Sequence, residues 1–146
     1  MESNKPVNYD ELKRQAIDSS SWRNRLDAVR KLGEFNEKSV KDILWRRMTS
    51  DPVYTVQEEA FRKLQALGES VKLPRKKKGN ILKDMNKDLQ KIKHSLPENH
   101  SYEDFKEKLK DTNLPLYDTI EGNKINKTDQ FLENIWKSLP KKSKHK

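Results

Sequence analysis

Apolar residues recur every three or four positions through the first half of the chain, which is the spacing of one face of an α-helix. The pattern predicts four amphipathic helices between residues 8 and 70. Their apolar positions are, in order, Leu12 and Ala16; Trp22, Leu26, Val29 and Leu32; Val40, Ile43, Leu44 and Met48; and Val53, Val56, Ala60, Leu64 and Leu67. Gly33 and Gly68 follow the second and fourth stretches and are predicted to end them.

Polar residues ahead of these stretches predict where the helices begin. Side-chain oxygens of Ser, Asp and Asn satisfy the free N–H groups of a first helical turn, and proline suits the first helical position. The predicted caps are Asn8 with Glu11 as a capping box, the serine run 19–21, Ser39, and Asp51 followed by Pro52.

The second half of the chain predicts one long helix and three shorter ones. Between residues 80 and 96, apolar residues alternate at spacings of three and four, as in a coiled-coil seam. They are Leu82, Met85, Leu89, Ile92 and Leu96. Because the seam is short, we expect one helix that packs its stripe on the end of the preceding helices, with a dimeric coiled coil as the alternative. The shorter helices are predicted after Ser101, after Pro115, and after Asn126 or Thr128.

The first four predicted helices form an internal duplication. Displaced by 32 positions, the sequence matches itself at Asp10/Asp42, Leu12/Leu44, Arg14/Arg46, Ala28/Ala60, Arg30/Arg62, Lys31/Lys63 and Leu32/Leu64. Trp22 falls on Tyr54, a replacement that keeps the aromatic character. A period of this length is typical of helical units that bury their apolar faces only by stacking on one another.

The second unit carries the pattern of a known family. Its residues are Asp51-Pro52, Val56, Ala60, Leu64 and Leu67-Gly68, and Arg25, Ala28, Leu32 and Gly33 echo it in the first unit. This pattern resembles the short bacterial variety of the HEAT-repeat family, and the chain is similar to small HEAT-repeat proteins of Bacillus-like bacteria. The resemblance implies helical hairpins that stack into a solenoid and bind partners on its surface. The arginine of the pattern, present as Arg25, is replaced by Gln57 in the second unit.

The patterns together predict an all-α fold. We expect two HEAT-like helical hairpins stacked as a short solenoid over residues 8–70, then a basic connection over 71–79. A long helix and about three shorter helices follow over 80–140, with a basic tail over 141–146. Two units are fewer than the roughly three that such arrays generally need. The segment 80–140 is therefore expected to pack on or cap the repeats.

Composition narrows the class of protein. The 146 residues include no cysteine, which excludes disulfides and thiolate metal ligands. No stretch approaches the roughly 20 apolar residues of a membrane span, and the N-terminus lacks an apolar signal region. These features predict a soluble, cytoplasmic protein, with a monomer slightly favoured over an oligomer.

The net charge of +9 is concentrated in one stretch of the chain. Residues 71–97 hold nine basic and two acidic side chains, and so carry most of the excess. The basic residues are Lys72, Arg75, Lys76, Lys77, Lys78, Lys83, Lys87, Lys91 and Lys93. Such a stripe attracts phosphate backbones. A solvated lysine-rich surface, or contact with an acidic protein or an anionic membrane, would explain it as well.

Motifs for catalysis or metal binding are not recognised in the sequence. His94, His100 and His145 have no partner at the spacing of metal ligands, and the four glycines are isolated. No Gly-x-Ser-x-Gly elbow is present. We therefore expect no cofactor, no metal and no enzymatic activity. The HEAT-like alkylpurine DNA glycosylases share the unit type, but none of their catalytic residues can be matched here.

Two functions are consistent with these features. The first is an interaction module that holds an unidentified protein partner on the solenoid surface, and the second is sequence-tolerant nucleic-acid binding through the stripe at residues 72–93. Trp45 adjoins a complete inward stripe, so it is either an exposed contact residue or packs under the connection near Leu73. The candidate contact residues are Arg75, Lys76, Lys77, Lys78, Lys83, Lys87, Lys91, Arg30, Arg62 and Trp45.

Overall fold

Eight α-helices form the regular structure of the described residues, with no strand among them. The computed structural model describes residues 5–76 and 80–140, without the side chains of residues 80–84. The helices are α1 (Tyr9–Ala16), α2 (Trp22–Leu32), α3 (Lys38–Ser50), α4 (Tyr54–Ala66), α5 (Asn80–His94), α6 (Tyr102–Thr112), α7 (Leu114–Asn123) and α8 (Thr128–Ser138). The predicted all-α class and the order of the helices are confirmed.

The chain divides into two compact units, Met1–Lys76 and Lys77–Lys146. The first unit contains α1 to α4 and the second contains α5 to α8, and each has its own hydrophobic core. The division falls inside the segment predicted as a basic connection. That the segment 80–140 caps the repeats stays a prediction.

The core of the first unit is built from the apolar positions that the periodicity predicted. Helix α1 packs on α2, α3 packs on α4, and α2 packs on α4. The buried residues are Leu12, Ala16, Trp22, Leu26, Ala28, Val29, Leu32, Val40, Leu44, Met48, Val53, Val56, Ala60 and Leu64. Burial stabilises each valine, leucine or methionine side chain by about 1.5–3 kcal/mol, which is why the helices bury these faces.

The core of the second unit includes the apolar stripe of α5. Helix α5 packs on α6 and α8, and α6 packs on α7 and α8. Met85, Leu89 and Ile92 of the stripe are buried in a cluster with residues of these helices. A dimeric coiled coil would need the same residues at its seam, so their burial inside the unit favours the single packed helix. Leu82 lies outside the side chains that the structure describes.

Two of the predicted helix caps are confirmed. The Ser21 hydroxyl accepts a hydrogen bond from the Asn24 N–H at the start of α2. Ser101 and Asp104 form a reciprocal capping box at the start of α6. Each of these side chains satisfies an N–H group that has no partner within its helix.

Other predicted caps are wrong in whole or in part. Asn8 is the N-cap residue of α1, as predicted, but its side chain makes no capping hydrogen bond, so the predicted capping box with Glu11 is absent. Helix α3 is capped by Glu37, whose carboxylate accepts the N–H and the hydroxyl of Ser39, so Ser39 lies inside the helix. Helix α8 follows Lys127, and Asn126 lies before it in the left-handed region with φ 66°.

The predicted start of α4 at Asp51-Pro52 is also wrong. Helix α4 begins at Tyr54, after Val53. Asp51 instead ends α3, and its carboxylate accepts the Val53 N–H at 2.9 Å across the turn. The carboxylate therefore bridges the two helices rather than capping the second.

Gly33 and Gly68 end their helices for different reasons. Gly68 has φ +88°, and the N–H groups of Gly68 and Glu69 donate to the carbonyls of Gln65 and Leu64. This is the Schellman arrangement, which needs a left-handed residue. Gly33 is right-handed, but a Cβ there would lie 2.5–2.8 Å from the Lys63 stem of α4. Its role is the close approach of α2 to α4.

Candidate functional site

Trp45 lies on the outward face of α3 and is 54% exposed. The neighbouring Leu44 is fully buried, so the inward face of the helix is complete without the indole. Leu73, under which Trp45 was alternatively expected to pack, is half-buried against the first core. Trp45 is therefore an exposed aromatic residue, as one of the two predictions held.

The surroundings of the Trp45 indole are polar. Lys41 and Thr49, four residues before and after it, share its side of the helix. Lys41 reaches the Glu69 carboxylate at 3.4 Å, and the Thr49 hydroxyl donates to the Trp45 carbonyl at 2.9 Å. The indole is therefore an exposed apolar group among polar and charged side chains.

Arg30 and Arg62 occupy equivalent places on α2 and α4, which pack on each other, and both are exposed. The Arg62 guanidinium lies 3.8 Å from the Glu58 carboxylate and 3.5 Å from that of Glu59. These two carboxylates offset its charge, so Arg62 is a weaker candidate for a phosphate contact than the sequence suggested.

The first part of the basic stripe is held against the first unit. Val71 and Leu73 pack against the core, and Arg75 and Lys76 are exposed beyond them. The Lys76 ammonium lies 5.4 Å from the centre of the Tyr54 ring. Residues 71–76, which we call the strap, therefore lie along the first unit with their cations exposed. Lys77 and Lys78 lie outside the described residues, as does the Lys83 side chain.

The second part of the stripe lies on α5 in the second unit. Lys87 and Lys91 are exposed and four residues apart, as predicted for one helix face. Lys93 is different, because its ammonium donates to the Trp136 and Leu139 carbonyls at 2.6 and 2.8 Å. Its inclusion in the stripe was wrong, since it caps the end of α8.

A buried cluster of charges, which the sequence did not reveal, joins α2 to the turn between α3 and α4. The Arg25 Nε lies 2.9 Å from the Asp51 carboxylate, and both side chains are almost fully buried. The Arg47 Nη1 approaches the same carboxylate at 3.1 Å. Arg25 and Asp51 both belong to the repeat pattern, but the pattern does not show that they pair between the two helical hairpins of the first unit.

The second unit carries a polar cluster at the beginnings of α6 and α8. The Tyr102 hydroxyl donates to the Asp129 carboxylate at 2.8 Å, and the Lys106 ammonium lies 2.8 Å from the same carboxylate. The hydrogen bonds from Lys106 and then Tyr102 lower the pKa of Asp129, while burial raises the pKa of Tyr102. These groups satisfy one another, which indicates a structural role.

Histidines also have structural partners in the second unit. The Trp136 indole N–H donates to the His100 Nε2 at 2.9 Å, and His94 contacts the Pro140 carbonyl at 3.1 Å. His145 lies outside the described residues. In the ranges 5–76 and 80–140, no group of three or more His, Asp or Glu side chains is placed to hold a metal ion.

A shallow polar depression lies between α1 and the beginning of α2. Its lining residues are Glu11, Arg14, Gln15, Asp18 and Asn24. Asp18 accepts hydrogen bonds from the N–H and the hydroxyl of Ser20 and from Asn24, and these bonds lower its pKa. Because these donors already satisfy the Asp18 carboxylate, it stabilises the turn before α2.

No protein-family model matches this chain, and no curated protein and no solved structure matches it either. None of the helices in the described ranges has both the length and the apolar character to cross a membrane.

Proposed function

We propose that the chain is a non-enzymatic interaction module that holds a protein partner on the surface of a short HEAT-like solenoid. The contacts of the first unit support the repeat arrangement, since α1 pairs with α2, α3 pairs with α4, and α2 joins the pairs by packing on α4. The period of 32 residues superposes α1 on α3 and α2 on α4 in the sequence. Units of this kind present extended surfaces to partners.

The exposure of Trp45 carries the proposal. Its equivalent in the first hairpin is Lys13, which is also exposed. A lysine at the same place shows that the hairpin does not need an apolar side chain there. Tryptophan is the residue type most enriched at binding hot spots, and 54% of Trp45 remains uncovered. We propose that a partner covers it.

The buried pair Arg25–Asp51 supports a rigid surface for this partner. It ties α2 to the turn between α3 and α4 through two contacts, Nε to Oδ2 at 2.9 Å and Nη2 to Oδ1 at 3.3 Å. A bidentate pair fixes the geometry as well as the distance. A surface fixed before binding loses less conformational entropy when a partner docks.

Affinity capture from a lysate of the source cells tests the proposal. Wild-type protein and the variants Trp45→Ala and Ile17→Ala are used as bait, because Ile17 is 64% exposed in the same unit and serves as the matched control. We expect one partner that is retained by the wild type and by Ile17→Ala. Loss of a hot-spot tryptophan should weaken its binding by about 30-fold or more. Equal retention by folded Trp45→Ala would refute the proposal.

A second candidate function is sequence-tolerant nucleic-acid binding through the basic stripe. The exposure of Arg75, Lys76, Lys87 and Lys91 favours it, because these cations are available to phosphate groups. The first two belong to the first unit and the others to the second. Binding of labelled DNA and RNA at two salt concentrations tests this function, and the variants below separate the two groups.

A further inference from the structure

The beginnings of α2 and α4 lie at the same edge of the first unit. Arg25 is in the first turn of α2, and its ion pair of 2.9 Å with Asp51 reaches the turn that precedes α4. The Arg25 Nη1 also donates to the Asp18 carbonyl at 2.6 Å, in the turn that precedes α2. One buried guanidinium thus brings the two turns together. The aromatic residues that open the two helices, Trp22 and Tyr54, are therefore at one edge.

Each of these aromatic residues has a cation over its ring. The Arg23 guanidinium lies 4.6 Å from the Trp22 ring, and the Lys76 ammonium lies 5.4 Å from the Tyr54 ring. Trp22 is buried and belongs to the core, whereas Tyr54 is half-buried. A face of the Tyr54 ring is therefore turned toward the strap and not toward the apolar interior.

The strap adds further cations beside Tyr54. Val71 and Leu73 anchor it to the core, while Lys72, Arg75 and Lys76 are exposed. We call the exposed cations of this region together with Tyr54 the basic edge; its members are Arg23, Tyr54, Lys72, Arg75 and Lys76.

The acidic residues of the adjoining turns offset only part of this positive charge. Asp51 is shared by two guanidinium groups, at 2.9 Å from Arg25 and 3.1 Å from Arg47. Asp18 keeps its negative charge, because hydrogen bonds from Ser20 and Asn24 lower its pKa. These two carboxylates face Arg25, Arg47 and the four cations of the basic edge, and the remaining positive charge attracts a polyanion.

We infer that the basic edge binds single-stranded nucleic acid, with a base stacked on Tyr54 and phosphates paired with Arg23, Arg75 and Lys76. This inference rests on the second candidate function, nucleic-acid binding, and places the nucleic-acid contact in the first unit. Bases stack on aromatic side chains with little sequence preference, since every base has a π-face. A single strand exposes those faces and a duplex does not, so the ring favours a single strand. The Lys76 ammonium moves from the ring to a phosphate as the base enters.

Fluorescence anisotropy of labelled oligo(dT) and oligo(U) of about 20 nucleotides tests the inference. Three engaged cations should weaken binding about 20-fold between roughly 50 and 200 mM salt. Arg23→Gln/Arg75→Gln/Lys76→Gln should abolish most of this dependence. Tyr54→Leu should weaken binding by about tenfold, whereas Tyr54→Phe, which keeps the ring, should bind as the wild type does. Circular dichroism checks that each variant is folded.

The matched control is Lys87→Gln/Lys91→Gln, which removes two exposed cations from the part of α5 whose side chains the structure describes. If this control binds as the wild type does and the edge variants lose binding, the inference is supported. If only the control loses nucleic-acid binding, the contact lies on α5, which overturns the inference and keeps the second candidate function. No binding at low salt overturns both. Binding to anionic phosphatidylserine vesicles but not to oligonucleotides, or a Tyr54→Leu variant that binds normally, also overturns the inference.

Discussion

Asp51 is the residue on which the buried polar contacts of the first unit converge. Its carboxylate accepts from the Arg25 and Arg47 guanidinium groups and from the Val53 N–H. These donors satisfy the buried carboxylate, and each of them depends on it in turn. Removal of the carboxylate alone would leave the Arg25 guanidinium charged and buried.

We expect Asp51→Ala to lower the free energy of unfolding of the first unit by about 3–5 kcal/mol, because it breaks one side of a buried pair. Asp42→Ala, at an exposed position of α3, is the control and should change it by less than about 0.5 kcal/mol. Urea denaturation followed by Trp22 fluorescence, in a Trp45→Phe/Trp136→Phe background, measures both. A loss below about 1 kcal/mol for Asp51→Ala would contradict the role assigned to the pair.

Asp129 makes a pH-dependent contribution to the stability of the second unit. Hydrogen bonds from Lys106 and Tyr102 lower its pKa in the folded chain. The stabilisation is therefore present above its unfolded pKa of about 4 and is lost as the pH falls through the lower folded value. Because 62% of the side chain is exposed, the contribution should stay below about 1 kcal/mol.

The variant Asp129→Asn tests this contribution. It should be less stable than the wild type at about pH 7, and the difference should be smaller at about pH 3, below the unfolded pKa, where protonation begins to remove the charge of Asp129. Urea denaturation followed by Trp136 fluorescence in a Trp22→Phe/Trp45→Phe background gives the two values. A difference that is the same at both pH values would show that Asp129 acts only by packing.

Single residues differ in how well the sequence predicts their environment. The exposure of Trp45 follows from its place beside a complete apolar stripe, which periodicity alone shows. The cap of α3 does not follow, because Glu37 and Ser39 are both polar and only the local backbone decides between them. Tyr54 was predicted either to fill the core or to flank a binding groove, but Arg23 was not predicted as a contact, since its common edge with Tyr54 arises from the tertiary pair Arg25–Asp51.

At the scale of elements, α5 joins α8 through its last basic residues. The Lys93 ammonium donates to two carbonyls at the end of α8, and it also lies 5.7 Å from the Trp136 ring. The final carbonyls of a helix have no partner within it, and a lysine near them satisfies both hydrogen bonding and the helix dipole. This contact joins the same two helices that pack on each other, α5 and α8.

Lys93→Met keeps the stem and removes the ammonium, so we expect it to destabilise the second unit by about 1–3 kcal/mol. Lys91→Met, at an exposed position two residues earlier, should change stability by less than about 0.5 kcal/mol. Thermal or urea unfolding followed by Trp136 fluorescence compares them. Equal stability of the two variants would mean that the Lys93 contact contributes nothing.

Periodicity predicts that an element buries one face, but it does not predict what covers that face. The stripe of α5 was expected to pack on the repeats, and Met85, Leu89 and Ile92 are buried within the second unit. Gly33 illustrates the same limit. It was predicted to end α2 through its conformational freedom, whereas its place reflects the approach of the Lys63 stem from α4.

At the scale of the whole molecule, two units with separate cores carry different candidate surfaces. The first unit presents Trp45 on α3 and the basic edge at the beginnings of α2 and α4. The second presents Lys87 and Lys91 on α5. The helical class and the duplication were visible in the sequence, because both depend on local spacing. The grouping of cations into separate surfaces was not, because it depends on which side chains the tertiary contacts occupy.

The fluorescence of Trp45 during titration with the captured partner tests the proposed function most directly. A folded Trp22→Phe/Trp136→Phe variant leaves Trp45 as the reporter. If a partner covers the indole, its emission should shift to shorter wavelength and its quenching by acrylamide should fall as binding saturates. Saturable binding, seen by anisotropy of the labelled partner, with unchanged emission and quenching of Trp45 would contradict the proposal.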